Sequence, residues 1–485
     1  MEQLKKDKPA PLLIVIASFD PSGEGVDHFD PEHPELLTDK ESPYYGEQWA
    51  MSKPEDYYES FFSDSEKSLK TFYKEMTCGR FWFSPAHIDH PQKEGAPEGV
   101  IEIMLPLPHP AALRNLEGYD NASAAHKVIH DIVKACDEFI DFEKYDLNGD
   151  GNVTPDEFGI IILNAGYDHS SQKGDPDYNA PDYENAPDPG HRFMVHGTSQ
   201  YIDVEVRGGV TLKCFSNTGE YRNTSTKYPI IGVAAHELAH NLGAQDMYSR
   251  YTPPSEAEPH WPTPRHFSLM CNGNHIDGGK TPTYIDAYQR MYFSWADIVT
   301  ADEDGVYTLY STLSKKYNIV KIPTPNPDEY FLCEIRLKEG FEKYITDDES
   351  NGGVVVWHID DAINEKWFLK AQCVSSNKPD GKRHDLGNAL LPREGFSKIT
   401  DENGNFVKFG PMYEDDDDQK YIPFFYKSDD EATSAFDSNK YCGAASLSYS
   451  LNNFPKGVSD KFNLHIDVLD EAGAQMRIKI TRTEK

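Results

Sequence analysis

The run HELAHNLGAQDMY, His236 to Tyr248, holds residue types at a spacing that can do metal chemistry. In a helix, His236 and His240 stand about one turn apart on one face, where two imidazoles can bind a single ion. Glu237 is rotated by about 100° from its neighbour. From there a carboxylate reaches a water beside the ion without becoming a ligand, the position a general base needs. Gly243 supplies a residue that readily takes φ > 0 and ends a helix sharply, and the turn brings Asp246 back towards the histidines. Two histidines, one carboxylate and one open position make a catalytic tetrahedral zinc site, not a closed structural one. The competing reading is a core helix that happens to carry two histidines. With 18 histidines in 485 residues a bare HExxH is a moderate signal, and Gly243 and Asp246 strengthen it. Tyr248 and Tyr284 are the candidates for a second oxyanion donor.

A second motif, DLNGDGNVTPDE from Asp146 to Glu157, fits a calcium loop. Oxygens come from Asp146, Asn148 and Asp150, a tight turn from Gly151, a backbone carbonyl from Asn152, and the last ligand from Glu157. The segment FGIIILNAG that follows is β-branched and apolar, so the site reads as helix, loop and strand, a structural brace and not a paired sensor. A plain Asp/Asn/Gly turn is the alternative.

The elements that must position these groups can be read in outline. The length leaves room for two or three domains with their own cores, which we divide at 1–300 and 301–485. LLIVIASF, Leu12 to Phe19, predicts a buried strand; preceded by Lys5, Lys6 and Lys8 it superficially suggests a signal peptide, but it is too short and lacks a small-residue cleavage site. Tyr57, Tyr58, Phe61, Phe62 and Leu69 predict one helix over Pro54 to Lys74. Gly79 marks a turn before a strand, and Val128, Ile129, Ile132, Val133, Cys136 and Ile140 predict a helix over Ala124 to Phe142. Phe193 to Phe215 reads as a hairpin about Arg207-Gly208-Gly209, and Pro229 to Leu242 as the metal helix. The stretches Asp168 to Pro189 and Arg250 to Pro264 read as loops. From about Asp302 short strands dominate, including Gly305–Tyr310, Tyr330–Leu337, Gly353–Ile359, Asn463–Leu469 and Gln475–Thr481, which predicts a mostly β region, a β-sandwich. The segment Ser375 to Asp437 has no regular pattern.

Composition excludes some partners. The 47 basic and 81 acidic residues give a formal charge of −34, which disfavours nucleic acid and anionic membranes and suits calcium. The acidic run Glu414 to Asp418 reads as a solvated loop. No apolar stretch approaches the ~20 residues of a membrane span. Seven dispersed cysteines without a CxxC pair argue against a full disulfide framework.

HExxHxxGxxD followed by a methionine turn, with Met270 in SLMCNG, resembles the metzincin metalloproteases. Further phrases resemble the immune-inhibitor-A-type family of that group: PLLIVIASF, TCGRFWF, DLNGDGNV with IIILNAG, and above all EYFLCEIRLKEGF (Glu329–Phe341) with GGVVVWHID (Gly352–Asp360). The resemblance implies an α+β, metzincin-like protease domain and zinc held by His236, His240 and Asp246. It further implies Glu237 as the base, Met270 as a hydrophobic floor, and an edge strand that aligns peptide substrate by strand pairing. An acidic residue often follows the third ligand in the family; this chain has Met247, which leaves Asp246 as the carboxylate. His358 reads as structural. The implied activity is peptide-bond hydrolysis of protein or peptide substrates, and the implied location is extracellular. The alternatives are a catalytically inactive protease-fold binding or adhesion protein with structural calcium, and a calcium-binding module in which the zinc motif is incidental.

Overall fold

The structure is a computed structural model that describes residues 9–30, 32–119, 121–168, 193–194, 197–221, 231–247, 265–325, 327–345, 351–361, 388–391, 397–400, 406–410, 435–437 and 462–484. In chain order the first part contains β1 (Ala10–Phe19), α1 (Glu35–Thr38), α2 (Pro54–Phe62), α3 (Leu69–Met76), β2 (Phe83–Pro85), β3 (Val100–Leu105), α4 (Pro110–Leu113) and α5 (Asn121–Cys136). It continues with β4 (Asn152–Val153), β5 (Gly159–Asp168), β6 (Phe193–Met194), β7 (Gly197–Glu205), β8 (Thr211–Tyr221), α6 (Ile231–Asn241) and α7 (Ala287–Tyr292). The second part is β: β9 (Asp297–Thr300), β10 (Gly305–Tyr310), β11 (Asn318–Pro323), β12 (Glu329–Leu337), β13 (Gly352–Asp360), β14 (Asn388–Leu391), β15 (Ser397–Thr400), β16 (Phe406–Gly410), β17 (Ala435–Asp437), β18 (Phe462–Val468) and β19 (Gln475–Glu484).

β1 is central in the first sheet, parallel to β3 and β2 on one side and to β5 on the other. A parallel strand covered on both faces needs an unbroken apolar run. Leu12, Ile14 and Ile16 accordingly enter one core with α2, α3 and α6, while Leu13, Val15 and Ala17 enter another with α5. β5 divides in the same way, Ile161 and Leu163 to the first and Ile160 and Ile162 to the second. β8 continues the parallel order from β5, and β7 returns antiparallel beside it through the turn at Arg207–Gly209, the expected hairpin.

The second part is built against the same core. In β12 the alternation of a strand sends Phe331, Cys333, Ile335 and Leu337 to one face and Tyr330, Leu332, Glu334 and Arg336 to the other. The first set meets the sheet β10–β19–β18–β17 through Leu309, Leu464, Ile466, Val468, Met476, Ile478 and Ile480. The second set joins the core of α6 and Met270. The sheet β14–β13–β12–β11–β9 therefore lies between the other β layer and α6.

Two expected boundaries change. The single helix over Pro54 to Lys74 is two helices, because Ser68 accepts from the Thr71 amide and caps α3; a serine favours the cap over a helix interior. The helix expected to reach Phe142 ends at Cys136, and a short 3₁₀ turn covers Phe142–Tyr145. Among the described residues Cys78, Cys136, Cys214, Cys271 and Cys333 are free thiols, and no helix is long and apolar enough to cross a membrane. The loops expected over 169–189 and 250–264, the acidic run Glu414–Asp418, Cys373, Cys442 and Tyr248 lie outside the described residues, as does most of Ser375–Asp437.

Candidate metal centre

α6 carries the metal motif on an apolar body: Ile231, Ala234, Ala235, Leu238, Ala239 and Leu242 are buried in the core. Its first turn packs against Gly273–Gly279 so closely that a Cβ on Gly232 would stand 2.1 Å from the Asn274 carbonyl oxygen. The helix ends as the motif predicts. Gly243 has φ of 102°, and the Ala244 N–H donates to the Ala239 carbonyl at 2.9 Å, a Schellman closure. Gly243→Ala is expected to cost about 1–2 kcal/mol because a side chain resists this backbone region. Urea denaturation checks it, and an unchanged midpoint would contradict the role given to the glycine.

The turn returns Asp246 to the histidines. Its Oδ1 lies 3.3 Å from His236 Nε2 and 3.0 Å from His240 Nε2, and the two Nε2 atoms are 3.2 Å apart. Each Nδ1 faces a backbone carbonyl: His236 that of Leu269 and His240 that of Ala244, both at 2.9 Å. Carbonyls only accept, so both rings carry a proton on Nδ1, and each Nε2 either bears a second proton and donates to Asp246 or, when neutral, turns a lone pair inward. In the neutral form two facing lone pairs and a carboxylate oxygen repel one another unless a cation lies among them. Zinc ligands at ~2.0–2.1 Å in a tetrahedron stand about 3.3–3.4 Å apart, close to the three separations found. The residues fit the ion. Among the described residues these three form the one group of histidine, cysteine or acidic side chains gathered within 4.8 Å.

The electrostatics follow the same contacts. Burial works to raise the pKa of Asp246, but hydrogen bonds and charge from His236 and His240 override it and hold the carboxyl well below its usual range. Burial works to lower His240, yet Asp246, the Glu237 charge and the Ala244 carbonyl bring it up to about 9. Glu237 is buried beside the histidines, 3% exposed.

Met270 is fully buried beneath α6. Its turn is tied to the site at two points, since Leu269 accepts from His236 and the Met270 carbonyl accepts from the Met247 N–H at 2.7 Å. Tyr284 requires a correction. Its hydroxyl is hydrogen-bonded to Glu75 within the core, and burial with the Glu75 charge keeps the phenol protonated far above its usual pKa. It is committed there, and Tyr248 stays as the donor candidate outside the described residues.

At the acidic loop, Asp146 accepts from the amides of Gly149, Asp150 and Gly151, at 2.8, 3.1 and 2.9 Å, and Asp150 from that of Asn152 at 2.7 Å. Asn148 Oδ1 accepts from the Asp150 amide at 2.8 Å. Glu157 accepts from Leu147 and Thr154 amides, both at 3.0 Å, so it laces the two ends of the loop together. The oxygen donor set suits a hard cation. Asp146, Asp150 and Glu157 are turned to backbone amides and are not among the groups gathered within 4.8 Å.

The polar groups that hold the Met270 turn and the chain at Asp246 from behind lie beyond what the spacing of the metal motif in the sequence predicts. Arg336 donates to Glu342 at 2.7 Å, to Glu334 at 3.1 Å and to the Phe267 carbonyl at 2.9 Å. Glu334 also pairs with Arg290 and accepts from Tyr317 at 2.6 Å and Trp357 at 3.0 Å. The signal was present: the two charges inside YFLCEIRL, Tyr330 to Leu337, fall on the same face of a stretch whose other residues are apolar or aromatic. Asp286 and Gln289, which contact Ser268 and Gln245, were signalled by the capping-box spacing D-x-x-Q.

No family model matches the chain. The chain is similar to immune inhibitor A of Bacillus thuringiensis subsp. alesti, with 24% identity over 368 residues that cover 67% of this chain and 47% of that protein. It thus spans about half the length of the curated relative it matches, and its resemblance to immune inhibitor A, first carried by short motifs, extends over two thirds of its own length.

Proposed function

We propose that this chain is a zinc-dependent endopeptidase of metzincin-like fold, with His236, His240 and Asp246 as ligands, Glu237 as general base and Met270 beneath the site. The observation that carries the reading is the convergence of two Nε2 atoms and one Oδ1 at mutual separations of 3.0–3.3 Å, beside a buried carboxylate. A metal held there supplies positive charge that acidifies water and stabilises negative charge on a substrate carbonyl oxygen. Glu237 accepts the proton of the attacking water and delivers it to the leaving amine. The Leu269 and Ala244 carbonyls keep both imidazoles in the ligating tautomer. β7, the antiparallel strand beside β8, pairs with β8 alone among the described residues, and its other edge offers backbone groups to an extended peptide.

Zinc analysis together with digestion of casein tests the reading. Stoichiometric zinc with cleavage supports it, and zinc without cleavage returns the chain to the class of inactive protease-fold binding proteins. The division expected at 1–300 and 301–485 and the export of the protein are part of this proposal, with β9 (Asp297–Thr300) going with the second region because it pairs with β11.

Structural calcium at Asp146–Glu157 belongs to the same reading, with Asp146, Asn148, Asp150, Asn152 and Glu157 as its oxygen donors. A cation that binds only the folded chain stabilises it by about 2.7 kcal/mol at a hundredfold excess over its Kd. With zinc kept saturating, a calcium-selective chelator is expected to lower the melting temperature by several degrees. An unchanged melting curve would assign the loop to its own hydrogen bonds.

A further inference from the structure

Asp246 lies outside any helix or strand, so its position depends on what holds the chain on either side of it. On one side stands Gln289 of α7, 1% exposed. Its Oε1 accepts from the Gln245 N–H at 2.7 Å and its Nε2 donates to the Gln245 carbonyl at 3.1 Å. One primary amide thus engages both backbone polar groups of the residue before the ligand, and only this orientation of the amide matches donor to acceptor. The remaining Nε2 hydrogen goes to Asp286 Oδ2 at 3.0 Å, while Asp286 Oδ1 accepts from the Gln289 N–H at 3.0 Å and caps α7. Asp286 Oδ2 also accepts from the Ser268 hydroxyl at 2.9 Å, and Ser268 Oγ accepts from the Met270 N–H at 3.1 Å. On the other side of the ligand, the Met247 N–H donates to the Met270 carbonyl.

We propose that Gln289 is a positioning residue for Asp246, an amide clamp through which the buried Asp286 sets the third metal ligand and the Met270 turn in one register. The inference rests on the reading of His236, His240 and Asp246 as a metal site. A ligand carried on irregular backbone loses affinity when its chain can drift, and partners behind ligands are generally worth about 10–100-fold in metal affinity. Glutamine is required in place of glutamate, since a carboxylate would set an acceptor against the Gln245 carbonyl and a like charge against Asp286.

The experiment compares wild type, Gln289→Met and Val354→Ala, the last a core truncation between the two C-terminal β layers. Zinc affinity is measured by chelator competition, ligand geometry by the visible absorption of the cobalt-loaded protein, and folding by circular dichroism. Gln289→Met is expected to weaken zinc about 10–100-fold and to shift the cobalt bands, while Val354→Ala lowers stability and leaves both readings unchanged. Where the methionine variant fails to fold, Gln289→Asn, which keeps the amide and shortens its reach, takes its place with the same expected direction. Wild-type affinity in a folded Gln289 variant, or an equal loss in Val354→Ala, overturns the clamp while the metal site stands. A wild-type chain that takes up no zinc overturns the site and the clamp with it.

Discussion

Glu237→Gln is expected to keep zinc and to lower hydrolysis of an unfolded protein substrate by on the order of 10²–10⁴-fold, the range assigned to a positioned general base. Glutamine matches the size of glutamate, so the packing of α6 is retained, but its amide cannot accept the proton of water at neutral pH. The three atoms proposed as ligands belong to other residues, so metal content is expected to stay at the wild-type level. Casein turnover measured beside zinc content checks both halves of the statement. Undiminished turnover would remove Glu237 from the role of base, whereas lost zinc would make it a structural partner of the ligands.

The second large effect concerns folding. Arg336 and Glu334 are 1% and 0% exposed and stand on the face of β12 that meets the core around α6. Arg336→Leu would leave Glu342, the Phe267 carbonyl and part of Glu334 without the cation that now satisfies them. Breaking a buried pair on one side typically costs about 3–5 kcal/mol, because the surviving charge has neither partner nor water. We expect a loss of that size in guanidinium denaturation. Since Phe267 leads into Ser268, Leu269 and Met270, we also expect weaker zinc retention in the variant. A cost below about 1 kcal/mol would show the network to be incidental to stability.

The arrangement of the candidate site was legible because it depends on spacing within one helix. His236, His240, Glu237 and Gly243 need only 3.6 residues per turn and one residue with positive φ to take up their arrangement. The first strand of the core was legible for a similar reason, since LLIVIA is short, apolar throughout and rich in β-branched residues, as a strand buried on both faces must be. The support was less legible. Glu334 and Arg336 read as two charges in a strand, and only the packing of β12 between two cores shows that they face Arg290, Glu342 and Trp357. Tyr284 looked like an oxyanion donor by type, but the choice between cleft and core was made by Glu75, 209 residues away. Gln289 meets Gln245 across 44 residues, a contact that periodicity cannot reveal. The break between α2 and α3 was missed because apolar spacing outweighed the capping serine at position 68.

The proposal that two imidazoles and Asp246 hold one catalytic metal ion is tested most directly by metal analysis of the purified chain beside its His240→Ala variant, with casein digestion and circular dichroism measured on the same samples. One zinc per wild-type chain is expected, and in the variant a retained fold with zinc and digestion lost together. Wild-type protein without stoichiometric metal, or digestion that survives in His240→Ala, would contradict it.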